Sequence, residues 1–157
     1  MTGRIEGDKA PSTLTFLLSQ VGAHVAMHFA RRIGELELHP PQFRVMNAID
    51  AAEGQSQQAI AEAIGAPPSR MVAIVDELEQ RGLVERRPDS SDRRVRALHL
   101  TGDGHEILGR GRKIALECEE EIAAGMSQAD RDRLVALLQK LVDARGIGAG
   151  VHPGLRE

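Results

Sequence analysis

A mainly α protein with one small β-hairpin is what the sequence predicts, and three observations predict it. Apolar residues recur at spacings of three and four through most of the chain, which marks helices. Glycines and prolines fall between those stretches, where helices stop and start. The period changes to two only once, between residues 83 and 100. At 157 residues, with 41% apolar and 27% charged, the chain fits one folded domain with appendages.

The elements follow in order. From Ser12 to Leu36 the residues Leu14, Leu17, Leu18, Val21, Val25, Phe29, Ile33 and Leu36 form one stripe of a long helix, capped by Ser12 or Thr13. A small domain has too little inner surface to cover so long a stripe, so this helix is expected to pack on another subunit. Pro40-Pro41 starts a second helix, with Phe43, Val45, Met46 and Ile49 as its buried face, ending near Gly54. Ser56 opens a short helix with Ala59, Ile60, Ala63 and Ile64 on one face and Gly65 as a left-handed cap. After Pro67-Pro68 another helix turns Met71, Ile74, Val75 and Leu78 inward and closes at Gly82. Two short helices around a glycine-containing turn outline a helix-turn-helix.

A hairpin comes next. Leu83 to Arg87 is extended, Arg96, Leu98 and Leu100 share one side of an alternating run, and residues 88–93 are turn formers. Thr101 caps a helix running to about Ala124, with Ile107, Leu108, Ile114, Cys118 and Ile122 on its apolar side. Gly102, Gly104, Gly109 and Gly111 lead one to expect an irregular start. Ser127 and Asp130 resemble a capping box for the last helix, whose Leu134, Leu137, Leu138, Leu141 and Val142 are expected to face inward. The tail from Gly146 is too poor in apolar residues to order itself.

Composition excludes several classes. The single cysteine, Cys118, rules out a disulfide framework and a multi-cysteine zinc module. No span of about 18 apolar residues and no signal-peptide pattern is seen, which predicts a cytoplasmic, unprocessed protein. Phe16, Phe29 and Phe43 are the only aromatic residues, so single strands stacked on aromatic platforms are not expected. There is no glycine-rich phosphate loop, no G-x-S-x-G elbow and no H-E-x-x-H, and no enzyme or cofactor is predicted. The net charge is −3, yet residues 81–96 hold six arginines against Glu85, Asp89 and Asp92. A local basic patch of this kind is the electrostatic footprint of nucleic-acid binding.

A long helix, a helix, a helix-turn-helix, a hairpin and two further helices make a winged helix-turn-helix flanked by long dimerisation helices. Asp92-Arg93-Arg94-Val95-Arg96-Ala97-Leu98-His99-Leu100-Thr101 resembles the wing signature of the MarR family of bacterial transcription regulators. Val75-Asp76-Glu77-Leu78-Glu79 and Arg81-Gly82-Leu83-Val84 are similar to the end of that family's recognition helix and its run into the wing. The resemblance implies a flexible segment 1–11, dimerisation helices in 12–38 and 101–145, a DNA-binding domain in 39–100 and a flexible tail 146–157. It implies a homodimeric regulator, expected to be a repressor, of pseudo-palindromic double-stranded DNA.

A recognition helix enters the major groove by its N-terminal residues, which points to Ser69, Arg70 and Ala73. Arg70 carries the fork that matches guanine, while Ala73 offers only a methyl where the family often has a polar or basic residue. Arg94 matches the family's minor-groove arginine, with Asp92 holding its guanidinium, and Arg86, Arg87 and Arg93 are expected on phosphates. The resemblance further implies release by a small aromatic or organic acid in a cleft lined by His24, Met27, His28, Arg31, Phe43 and Met46, residues that would equally serve as dimer core. His24 and His28 have the i, i+4 spacing of a metal pair but no acidic or thiol partner nearby, and Cys118 reads as core. The competing reading is a winged-helix protein-interaction module, which salt dependence of DNA binding discriminates.

Overall fold

The computed structural model describes residues 13–88 and 96–147. Within them lie α1 (Leu14–Gly34), α2 (Pro40–Ala51), α3 (Gln57–Ile64), α4 (Pro68–Gln80), β1 (Val84–Pro88), β2 (Arg96–Leu100), α5 (Gly102–Ile122) and α6 (Gln128–Ala144). The predicted class and order of elements hold.

The caps are those the sequence names. The Thr13 hydroxyl accepts from Phe16 N at 3.3 Å, that of Ser56 from Ala59 N at 3.1 Å, and that of Thr101 from Gly104 N at 2.9 Å. Gly65 closes α3 at φ 67°, a left-handed position that costs glycine nothing. Ser127 accepts from Asp130 N at 3.2 Å and donates to Asp130 Oδ2 at 2.6 Å. α5 runs without a break from Gly102, contrary to the irregular start expected from its glycines. The reason is packing: a Cβ on Gly111 would lie 2.6 Å from the Phe43 ring, so the missing side chain lets α5 press on α2.

The core is the winged helix itself. Leu38, Val45, Met46, Ile49, Ile60, Met71, Val75, Leu78, Leu98 and Leu108 are fully buried, and α1 contributes only its last turns, with Ile33 beneath. β1 and β2 pair antiparallel from Val84 opposite Leu100 to Pro88 opposite Arg96. Pro88 therefore belongs to the strand rather than to the turn. On the other edge of β2, Gly54 N donates to Leu98 O at 3.1 Å and Leu98 N to Gln55 O at 3.0 Å, so the α2–α3 link acts as a third, short strand. This places Ala97 in the interior, while Arg96 at the strand's start stays exposed.

The apolar stripe of α6 departs from expectation. Leu134, Leu137, Leu138, Leu141 and Val142 were assigned to an inner face, yet no residue of α6 is buried. Ile122 at the end of α5, expected on an apolar side, is exposed too, and along α1 Leu14, Leu17, Leu18, Val21 and Val25 are exposed, the stripe judged too long for a small domain to cover. The described residues provide no layer on that side for these stripes to cover.

Candidate nucleic-acid interface

α4 presents one face to solvent. With Met71, Ile74, Val75 and Leu78 facing the core, the i, i+3, i+4 rule leaves Ser69, Val72 and Ala73 outward near its N-terminus. Arg70 lies beside them, half-buried. Val72, 43% exposed, was missed by the sequence reading although the buried stripe predicts it: Val72 lies on the opposite side of the helix. Ser69 brings a hydroxyl and Val72 and Ala73 bring methyl groups, which suits base edges and thymine methyls.

The far end of α4 is tied to the start of the molecule. Arg81 donates from Nη1 to Glu37 O at 2.6 Å and from Nη2 to Leu36 O at 3.3 Å, and Glu37 takes a left-handed φ of 55°. Gln42 accepts from His39 N at 2.9 Å and donates to Glu77 at 2.8 Å, which satisfies the buried amide. These contacts join the α1–α2 link to α4, and no sequence signal announces them.

In the wing, Arg87 is exposed and, among the described residues, pairs with Glu85 on its own strand, and that hydrogen bond draws the Glu85 carboxyl below its ordinary pKa. Arg86 is differently placed. Its guanidinium faces α4 and α3 and is taken up by Asp76, Glu79 and Gln57, which leaves it unsuited to the phosphate role expected of it. Asp92, Arg93 and Arg94 lie outside the described residues.

The six residues assigned to an effector cleft are not gathered by the structure. Met46 is fully buried in the winged-helix core, whereas Met27 is 67% exposed on α1. Phe43 packs its ring against Phe29 at 5.6 Å between centroids, and Arg31 is exposed. His24 and His28 stack at 6.3 Å, and His28 Nε2 meets Glu121 Oε2 at 2.6 Å. A cleft between α1 and α5, about 200 Å³, is lined by Val25, Phe29, Ala115, Cys118, Glu119 and Ile122 and includes none of the six. Among the described residues no group of three or more His, Cys, Asp or Glu side chains is arranged to hold a metal. Burial raises the Cys118 thiol, as its place on the core side of α5 requires.

Next to this cleft Arg32 clamps α1 to α5, donating to Glu117 and Glu121 at 2.6 Å each. Burial alone would raise the Glu121 carboxyl, but the hydrogen bonds from His28 and Arg32 outweigh it and the net shift is downward from 4.5. A carboxylate depressed by folding stabilises above its unfolded pKa, and that contribution disappears as pH falls through the lower folded value. Thermal unfolding followed below pH 4.5 should therefore show a steeper loss of Tm in the wild type than in Glu121→Gln. Parallel curves would remove Glu121 from the acid response.

Comparison with known proteins decides what this winged helix belongs to. The MarR family model matches residues 36–95, from just after α1 past α2, α3, α4 and β1 to the residue before β2. The transcriptional regulator HosA of Escherichia coli O157:H7 is 33% identical over 117 residues, spanning 74% of this chain and 87% of that one. The chain belongs to the MarR family. Among solved structures of the family's fold, the transcriptional repressor CouR bound to a 23-mer DNA duplex is 32% identical with a TM-score of 0.73, covering 83% of this chain and 92% of that one. PcaV from Streptomyces coelicolor, at 23% identity and a TM-score of 0.75 over 86% of this chain and 98% of that one, bears on the fold alone. As a MarR-family protein the chain is a DNA-binding transcriptional regulator. No helix among the described residues is long and apolar enough to cross a membrane.

Proposed function

We propose that the protein is a homodimeric repressor of pseudo-palindromic operators, acting in the cytoplasm where chromosomal DNA is reached, and released by a small organic acid. The observation that carries this reading is the pairing of a complete helix-turn-helix with two unpartnered apolar stripes, on α1 and α6, in one chain. A second copy covers like with like, which is how a two-fold interface works, and it sets two copies of α4 for two half-sites. Repression follows the resemblance to CouR, whose own structure is of a repressor on DNA. In this reading Ser69, Arg70, Val72 and Ala73 meet base edges, Arg87 and Arg93 meet phosphates, and Arg94, steadied by Asp92, enters the minor groove. For the effector, the α1–α5 cleft is the better candidate than the six residues named from sequence, because its apolar walls adjoin the cationic Arg31 and Arg32, whose fields already act on Cys118.

Footprinting on DNA upstream of the protein's own gene, with a salt series and added acids, tests the dimeric, minor-groove and effector parts. Two protected half-sites about 10 base pairs apart are expected, with Arg94→Ala lowering the salt slope by about 1 and weakening A·T-rich flanks most. Protection of one half-site, or an unchanged slope and flank preference, overturns the dimeric or the minor-groove part respectively. Salicylate-like acids should release the wild type and act more weakly on Arg31→Ala; release of neither removes the effector.

A further inference from the structure

Arg86 sits on β1 opposite Leu98, and its side chain reaches across to the helix-turn-helix. Nη2 donates to Asp76 Oδ1 at 2.5 Å and to Gln57 Oε1 at 3.1 Å, Nε donates to the same Gln57 oxygen at 3.4 Å, and Nη1 donates to Glu79. The backbone N of Arg86 adds a bond to Glu79 Oε1 at 3.2 Å. One planar fork thus joins the wing to the first residue of α3 and to two successive turns of α4. Two carboxylates around one guanidinium leave the cluster with excess negative charge, which opposes a phosphate rather than inviting one.

Asp76 lies three and four residues beyond Ala73 and Val72, on the same flank of α4. Fixing Asp76 and Glu79 fixes the rotation of α4 about its own axis, and with it the direction in which Ser69, Val72 and Ala73 point. A guanidinium suits this task better than an ammonium, because its fork engages several acceptors in one plane. We propose that Arg86 is a positioning residue for sequence recognition, one that sets the rotation of α4 relative to the wing through Asp76, Glu79 and Gln57. The proposal rests on α4 being the recognition helix, as argued under the proposed function.

The probe is a duplex selected by the wild-type protein from a random-sequence pool, compared with a scrambled duplex of equal composition. Binding is measured well below Tm across a salt series for wild type, Arg86→Ala, Asp76→Asn and the double variant. Each single change should lower the ratio of selected to scrambled affinity about tenfold, the scale of one mismatched base pair, with the salt slope unchanged and the double variant no worse than either single. A loss of stability alone would lower Tm and leave that ratio intact. A phosphate-binding Arg86 predicts the opposite pattern: its removal weakens both duplexes equally and lowers the slope by about 1, while Asp76→Asn frees it and tightens both. Either pattern overturns the positioning role. Arg86→Lys keeps the charge but reaches fewer of the acceptors, so it should bind the selected duplex between wild type and Arg86→Ala with the wild-type slope; full recovery of the ratio would overturn the role of the fork. If the wild type selects no duplex, the assignment of α4 fails first and takes this proposal with it, a result unlike any of the others.

Discussion

Gly104→Ala is expected to destabilise the protein by about 3 kcal/mol and to lower Tm by about 10 °C. A Cβ at this position would lie 2.0 Å from the carbonyl oxygen of Leu83 and 3.4 Å from Leu100 Cβ. The nearest obstacle is backbone, so no rotamer change relieves it, and that same oxygen accepts from Thr101 N at 3.1 Å. The junction must open for the methyl to fit. When it opens, Leu83 at the root of the wing separates from the first turn of α5, and the bond from Thr101 Oγ1 to Gly82 O at 2.6 Å is strained with it. Alanine gains up to about 1 kcal/mol in helix propensity, too little to offset the contact. Gly109→Ala, in the same helix with none of the described residues within 4 Å of the added carbon, isolates that gain and should stabilise slightly. Urea unfolding of both variants checks the pair, and a Gly104→Ala protein as stable as the wild type would show that the close approach at Leu83 is not a constraint.

The winged helix was legible because its signals are local. Ser56, Gly65, Gly82 and Thr101 each act within a few residues, and the buried stripe of α4 repeats at a fixed spacing, so the order and type of elements follow from the chain alone. Roles that depend on distant partners were not legible. Arg86 reads as one more cation in a basic run until the fold brings Asp76 and Glu79 beside it. Met46 lies one turn beyond Phe43 on the same side of α2, about 60° around the axis, yet only the packing of the other elements decides that Met46 is fully buried while the Phe43 ring meets Gly111 of α5. The i, i+4 pair His24 and His28 gives no hint that Glu121 would claim the second ring from the far end of another helix. Gly104 and Gly111 look like defects in a helix until Leu83 and Phe43 show what fills the space.

The stripe of α6 illustrates the remaining limit, because periodicity marks an apolar face without saying which chain covers it. That ambiguity makes Leu137→Asp the sharpest test of assembly. Leu137 is 50% exposed, between Leu134 at 45% and Leu138 at 37%, and the exposed stripe of α1 offers the same chemistry. Burying a leucine stabilises by about 1.5–3 kcal/mol, and in a two-fold dimer each substitution removes the contribution twice. Aspartate adds the cost of desolvating a charge that the apolar stripes cannot pair. Dimer dissociation should therefore rise by at least about a hundredfold, enough to leave monomers at micromolar concentration. The folded winged helix should survive in those monomers, because no residue of α6 contributes to its buried core. Operator affinity should fall by a similar factor as two linked half-site contacts become independent ones. Tm of the wild type should rise with protein concentration, as stability coupled to association requires, and the dependence should vanish in the variant. Sedimentation of both proteins, with the same preparations used for DNA binding, reads all of this together, and a Leu137→Asp protein that remains dimeric with unchanged operator affinity would take α6 out of the interface.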